Sequence, residues 1–117
     1  MHGQGKLFNV MNQLVYEGDF SNGHFEGVGI LYNSNQKETS EDLQLLHQRR
    51  LPQNWTRSEG LFHQSERSGA TYLFYPSGAY FFGEFSKDAA NGFGRLVING
   101  KTEFSGFFKD NVLVSHA

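Results

Sequence analysis

Histidine and carboxylate side chains are the groups in this sequence that could bind a metal or transfer a proton. The histidines are scattered through the chain, at His2, His24, His47, His63 and His116. None of them has the i, i+4 or clustered spacing that a metal site requires. Glu17 and Glu84 occupy nearly equivalent places in two similar segments, offset by one residue. A paired-carboxylate mechanism also needs a concave, partly dry site, so we expect no metal and no catalysis from these side chains.

Two pairs of glycines, in Gly27-Val28-Gly29 and Gly92-Phe93-Gly94, invite comparison with phosphate-binding loops. A phosphate cradle needs a glycine-rich loop that opens a helix, usually with a lysine after it. These pairs instead precede the strand-like runs Ile30-Leu31-Tyr32 and Leu96-Val97-Ile98. Packing explains them better, and the sequence has no Ser-His-Asp order or nucleophile elbow. We therefore expect a protein without enzymatic activity and without a cofactor.

The composition argues against several further classes of protein. The chain has 117 residues, which is enough for one domain with a modest core. Its formal net charge of −2 gives no basic footprint for nucleic acid. It contains no cysteine, so neither a disulfide framework nor a thiolate site is possible. Because there is no secretory signal and no run of ~18 apolar residues, we expect a soluble, intracellular protein.

Glycine and aromatic residues recur along the chain with a period of about 23 residues. An aromatic-x-Gly-x-Phe segment occurs at 16–20, 81–85 and 104–108, with a degenerate copy at 58–62. The last three copies follow one another at exact intervals of this period. A chain with 12 Phe, 5 Tyr and 14 Gly suits aromatic rings laid over small residues better than an aliphatic core between helices.

Each copy has the pattern of a β-hairpin. In the first copy Tyr16, Gly18 and Phe20 fall on one face of a strand, because strand side chains alternate between faces. Asn22-Gly23 then predicts a turn, since both residues tolerate positive φ. Glycine inside a strand weakens it unless something must approach the backbone closely. We therefore expect an aromatic ring to lie over the glycines of the returning strand.

Successive hairpins of this kind predict an all-β fold, a single-layer, elongated antiparallel meander in which each unit packs on its neighbours. We expect one domain over 1–117, with repeats at about 1–33, 58–80, 81–103 and 104–114. The residues assigned to the repeated frame are Tyr16, Gly18, Phe20, Gly23, Gly27, Gly29, Gly60, Phe62, Gly69, Gly78, Phe81, Gly83, Phe85, Gly92, Gly94, Gly100, Phe104, Gly106 and Phe108.

Four positions depart from the frame. Ser58 replaces the first aromatic residue of the second copy, and Thr71 replaces a glycine of its Gly-x-Gly pair. Ser65 and Asp88 stand where a turn glycine is expected. These departures predict a second copy that is bent or poorly ordered.

The frame resembles that of the MORN family, membrane occupation and recognition nexus repeats, over residues 1–33 and roughly 58–114. The resemblance implies β-hairpin repeats and a non-catalytic scaffolding role in a cytoskeletal assembly. It points first to the ciliary or flagellar axoneme, in a radial spoke or the central apparatus, as one subunit of a hetero-oligomer. The alternative from another class is a phosphoinositide-dependent membrane adaptor. Anionic lipid normally attracts a cluster of Lys and Arg, whereas here the basic residues are dispersed among acids.

The segment 34–57 does not follow the frame and predicts an insertion. A helix starting near Thr39, with Leu43 and Leu46 on one face and Pro52 after its end, is one interpretation. A solvated loop is the other. Trp55, the only tryptophan of the sequence, would either cover the end of the sheet or anchor a partner.

The two ends of a meander are open strand edges that invite another chain. The amino-terminal strand near Gly5 to Phe8 starts inside a half repeat, and no further repeat follows the last frame. We therefore expect at least one edge to pair with a neighbouring protein through strand addition. The candidate partner-binding residues are Lys6, Leu7, Phe8, Leu43, Leu46, Trp55, Val112 and Leu113.

Overall fold

The computed structural model describes residues 3–33 and 49–116 of the chain. These residues form a single antiparallel sheet of nine strands in which every strand lies beside its neighbours in the sequence. The predicted all-β meander is therefore confirmed, and the described ranges contain no helix. The predicted helix with Leu43 and Leu46 lies outside these ranges. The strands are β1 (Gly3–Phe8), β2 (Leu14–Ser21), β3 (His24–Tyr32), β4 (Arg57–His63), β5 (Glu66–Phe74), β6 (Tyr80–Ser86), β7 (Ala89–Ile98), β8 (Lys101–Lys109) and β9 (Val112–His116).

Five of the hairpins close with a two-residue turn in which both residues have positive φ. The turns lie at 22–23, 64–65, 87–88, 99–100 and 110–111. Turns of this backbone type match the right-handed twist of the flanking strands, which is why they recur in tight hairpins. Asn22-Gly23 has the turn-forming residues expected from the sequence, whereas Lys87-Asp88 adopts the same shape without glycine.

A row of glycines crosses the sheet at right angles to the strands. Residues at the same level on β1 to β8 are paired from strand to strand. They are Gly5, Gly18, Gly29, Gly60, Thr71, Gly83, Gly94 and Gly106. We call this set the glycine row. It brings every copy of the repeat into one register. The row two positions away alternates frame positions with leucines, and its paired members are Tyr16, Leu31, Ser58, Leu73, Phe81, Leu96 and Phe104.

The core lies on one side of the sheet, which we call the inner face. Tyr16, Phe20 and Phe62 form one buried cluster over the first strands. Phe81, Phe85 and further residues form a second, larger cluster over β5 to β9. Of the frame residues of the last copy, Phe108 is buried and Phe104 is only partly so. The opposite side is the outer face.

Residues 49–56, which precede β4, form a strap across the inner face. Leu51 and Trp55 of this strap belong to the larger core cluster. The Tyr75 hydroxyl donates a hydrogen bond to the Pro52 carbonyl at 3.0 Å, and the Thr56 amide donates to the Phe74 carbonyl at 2.7 Å. Part of the predicted insertion is thus a second layer that covers the core.

Candidate interaction surface

Aromatic rings lie over glycines where the strand pairs approach most closely. A side chain on Gly29 would collide with the ring of Tyr16, and one on Gly94 would collide with the ring of Phe81. The Tyr16 hydroxyl donates a hydrogen bond to the Asp19 carbonyl at 2.9 Å. Burial and the nearby Asp19 carboxylate raise the pKa of Tyr16 to about 12. The missing side chains of the glycine row therefore make room for the first ring of the frame.

Phe25 is a core contact that the frame did not identify. Its ring stacks on Tyr16, with 3.8 Å between centroids and 4° between planes. Phe20 and Phe62 meet the Tyr16 ring edge-on, at 5.1 and 5.4 Å. The equivalent positions in later copies hold Arg67, Ala90 and Leu113, so no periodicity pointed to an aromatic residue there.

The remaining frame glycines lie at two kinds of position. Gly23, Gly78 and Gly100 lie in connections between strands and have open space around the place of a side chain. Gly27, Gly69 and Gly92 instead lie where a side chain from the preceding strand leans over the backbone. Those side chains are Asp19, Leu61 and Glu84, at the same spacing from the glycine in all three copies.

Ser58 and Thr71 compensate for each other. Tyr16 lies over Gly29 and Phe81 lies over Gly94 at one shared spacing along the chain, and Ser58 precedes Thr71 by that same spacing. Both Ser58 and Thr71 are fully buried. The copy that lacks the ring thus also lacks the glycine that would accommodate it. The expectation of a bent or poorly ordered second copy is wrong, since β4 and β5 pair continuously with β3 and β6. The register shift after Gly60 also occurs after Gly18 and Gly83, so it does not distinguish this copy.

This compensation predicts a favourable coupling between two substitutions. Ser58→Tyr alone places a ring against the Thr71 side chain, and overpacking of this kind costs about 1–3 kcal/mol. Adding Thr71→Gly removes the obstacle, so the double variant should be more stable than the two single losses imply, by about 1–3 kcal/mol. Urea unfolding of the four proteins measures this coupling. Strictly additive losses would contradict the compensation.

Turn residues connect each repeat to the one before it. The Asp88 carboxylate accepts hydrogen bonds from the Arg67 amide at 3.1 Å and Arg67 Nε at 2.8 Å, and the Asp88 amide donates to the Arg67 carbonyl at 3.1 Å. Asn111 makes the same reciprocal pair with Ala90, at 2.8 and 3.1 Å. Ser65 makes it with Phe25, at 3.1 and 3.0 Å.

These reciprocal bonds explain two departures from the frame. Ser65 and Asp88 are not failed turn glycines, because each supplies the side-chain oxygen that joins its turn to the preceding repeat. The signal in the sequence was an oxygen-bearing side chain at 65, 88 and 111, each one full period from the next.

Arg67 and Trp55 attach the strap to the sheet. The Arg67 guanidinium is buried, with its carbon 4.9 Å from the Trp55 ring centroid and 5.2 Å from that of Phe85. Cation–π contacts of this kind strengthen when water is excluded. Trp55 is buried as well, so of its two interpretations the structure favours the one in which it covers the sheet. It does not project toward a partner.

The expectation of an open carboxyl-terminal edge is wrong. The Leu113 amide donates to the Arg49 carbonyl at 2.9 Å, and the Leu51 amide donates to the Asn111 carbonyl at 2.8 Å. Arg50 and Val112 form an antiparallel bridge between these bonds. The strap passes along β9 before the chain enters β4. It therefore pairs with the edge of β9 that faces away from β8. Leu113 is consequently buried in the core.

The amino-terminal edge is open among the described residues. There β1 pairs with β2 alone, and the side chains of Leu7 and Phe8 are 44% and 49% exposed. The following turn displays Val10 and Met11 to solvent.

The turn after β1 is held in shape by Asn9. Its side-chain oxygen accepts hydrogen bonds from the Met11 amide at 2.9 Å and the Gln13 amide at 3.0 Å. On the strand itself, Lys6 Nζ lies 3.7 Å from a Glu17 carboxylate oxygen. The edge is thus preformed, apolar and locally charge-balanced.

The outer face carries aromatic side chains that the sequence frame did not assign to any role. The ring centroids of Tyr72 and Phe82 are 4.4 Å apart, as are those of Phe93 and Phe107. Phe93 and Phe107 are each 49% exposed. Phe93 lies between Gly92 and Gly94, and Phe107 follows Gly106. At both positions the alternation of a strand directs side chains away from the core.

The ion pairs of the described ranges each join one basic side chain to one carboxylate. His63 Nδ1 lies 2.8 Å from a Glu26 carboxylate oxygen, and this hydrogen bond lowers the pKa of Glu26. No group of three metal-binding side chains occurs among the described residues. His2 and His47 lie outside them. Nor does any helix in that part of the chain have the length and apolarity to cross a membrane.

Comparison with known proteins gives one family match. The sequence model of the MORN repeat matches this chain at residues 16–37 and 81–101. The matches begin at Tyr16 and Phe81, the two residues whose rings lie over glycines. No curated protein sequence matches the chain.

Proposed function

This chain is a MORN-repeat protein, and on that premise we propose that it is a non-catalytic scaffolding module whose amino-terminal edge takes up a β-strand from another polypeptide. MORN repeats generally mediate protein or membrane interactions. The observation that carries the proposal is the open edge of β1, where Leu7 and Phe8 are exposed beside unpaired backbone. Main-chain hydrogen bonds to an added strand would supply affinity, and the two apolar side chains would supply contacts that select the partner.

The setting that we propose is a cytoskeletal assembly, and first the ciliary axoneme, in a radial spoke or the central apparatus. It is supported by the resemblance of the repeated frame to those of small MORN proteins in such assemblies. A scaffold of this kind would work in the cytoplasm as one subunit of a larger complex. It requires no cofactor, because its binding rests on backbone pairing and apolar contact.

Three of the ten Lys and Arg side chains give little support to the alternative of a phosphoinositide adaptor. Lys6, Arg57 and Arg67 each lie within 4 Å of a carboxylate, from Glu17, Glu59 and Asp88 respectively. Arg67 is also buried. Attraction to anionic lipid needs several unpaired cations on one surface, so the protein-binding role is the one that we pursue.

Proline substitution in β1 tests the proposal. Successive N–H groups of a strand point to opposite sides. Therefore one of the two variants Gly5→Pro and Lys6→Pro removes a donor from the open side of β1, and the other removes a donor from the side that faces β2. We expect the variant that lacks the open-side donor to lose most of its capture of axonemal proteins, because proline cannot donate to a ladder. Capture is measured by pull-down from axonemal extract with mass spectrometry.

Lys6→Ala is the matched control, since it removes the ion pair with Glu17 but keeps the backbone donor. Thermal melts of all variants verify that the remaining strands stay folded. Undiminished capture by both proline variants would refute this edge as the site at which axonemal proteins bind. If the protein binds phosphoinositide vesicles and captures no axonemal partner, the lipid adaptor is favoured instead.

A further inference from the structure

The two ends of the sheet are not equivalent, because one of them is blocked by the chain itself. The strap pairs with the edge of β9 that faces away from β8, through the Leu51–Asn111 and Leu113–Arg49 hydrogen bonds. A second copy therefore cannot pair its β1 with β9 at Asn111 to Leu113. Head-to-tail contacts of that type do not close and would build an open filament. The strap leaves only pairings that use β1.

We propose that the strand completing β1 is the β1 of a second copy, in a closed antiparallel dimer with a two-fold axis. This inference rests on the proposed function, since it names the occupant of the same edge. Pairing one strand with its own copy is isologous, so each contact occurs twice and no further edge is exposed. With the β9 edge blocked, the assembly stops at two copies.

The sequence of β1 is self-complementary around Gly5. When the two-fold axis passes beside Gly5, the two Gly5 residues pair, and the glycine row runs on from one copy into the other. Gln4 of each copy then lies opposite Lys6 of the other, so no two lysines face each other. Like charges directly opposite would destabilise the pair. Lys6 also has Glu17 of its own chain 3.7 Å away.

The same register covers apolar surface. Leu7 of one copy lies opposite Gly3 of the other, on the inner face, where the absent side chain leaves room. Leu7 is 44% exposed in the single chain. A dimer built in this way presents every remaining surface twice, which gives a scaffold the two-site geometry needed for bivalent binding.

Sedimentation analysis of the purified protein over a range of concentrations tests the stoichiometry. We expect a monomer–dimer equilibrium. Its dissociation constant should rise at least about tenfold, which corresponds to about 1.4 kcal/mol, in whichever of Gly5→Pro and Lys6→Pro removes the donor on the open side of β1. Lys6→Ala should change it far less. A wild-type protein that stays monomeric throughout would overturn the inference, as would a dimer that both proline variants leave unchanged.

Disulfide trapping tests the register, and the chain suits it because it has no cysteine of its own. Residues directly opposite in an antiparallel pair have Cβ atoms about 4.5–5.5 Å apart, close enough to cross-link with small adjustments. Mixing Gln4→Cys with Lys6→Cys should therefore give a mixed disulfide dimer much faster than either variant alone, with oxidised glutathione as the oxidant. Equal rates in all three samples would contradict the Gly5-centred pairing.

These outcomes separate the inference from the proposed function. A monomeric protein that still captures axonemal proteins through β1 overturns the second copy as occupant but leaves the strand-addition role standing. A dimer that cross-links as expected, in a protein whose proline variants still capture those partners, supports the second copy and refutes β1 as the site for other proteins.

Discussion

Replacing Phe81 with alanine is expected to lower the free energy of unfolding by about 3–5 kcal/mol. Phe81 is fully buried, with its ring 5.8 Å from that of Phe85 and 5.0 Å from that of Phe108. Truncation removes these contacts and leaves a cavity over Gly94, which has no side chain to fill it. Urea unfolding followed by fluorescence or circular dichroism measures the loss.

Phe107→Ala is the matched control for this prediction. It makes the same chemical change on the outer face, where Phe107 is 49% exposed and touches Phe93. We expect it to cost about 1 kcal/mol or less. Similar losses for the two variants would show that the inner face is not the main core of the sheet.

Replacing Gly18 with alanine is expected to cost about 2–5 kcal/mol, from strain and overpacking together. Its Cβ would lie 2.5 Å from both the Gly29 Cα and the Val28 carbonyl oxygen. Both are backbone atoms, so no change of rotamer relieves the collision. The φ of +150° adds to the cost, since side chains rarely accept it.

Gly78→Ala separates these two contributions. Gly78 also has positive φ, +93°, but a side chain there meets nothing within 4 Å. Its alanine variant should therefore pay for backbone strain alone, about 1–2 kcal/mol. If both alanine variants lose the same stability by urea unfolding, close approach of the strands is not what selects glycine in the row.

The repeated frame of the sequence was sufficient to predict the hairpins, the face on which Tyr16 and Phe20 lie, and the role of glycine beneath the rings. Those features depend on contacts between neighbouring strands, which the period of the repeat displays directly. The same frame gave a wrong prediction where a residue also bonds to the preceding repeat. Asp88 looked like a missing turn glycine because the frame holds no information on its bonds to Arg67.

The strap could not be predicted in this way, because its contacts have no period. Arg49 and Leu51 bond with β9, and Trp55 packs beside Arg67, so each contact depends on the path of the chain around the finished sheet. For this reason Leu113 was assigned to an open edge although it is buried. Phe25 was missed for a related reason, since its ring has no counterpart in later copies.

The strap also determines how the sheet comes apart. An array of hairpins that touch only their neighbours frays from its ends, one unit at a time. Leu51 and Asn111 are hydrogen-bonded although half of the chain lies between them, so β9 cannot detach without loosening the segment that leads into β4. The carboxyl-terminal repeats and the middle of the sheet are thereby joined into one cooperative unit. Within residues 3–33 and 49–116 the amino-terminal hairpin has no such tie, and unfolding is expected to begin there.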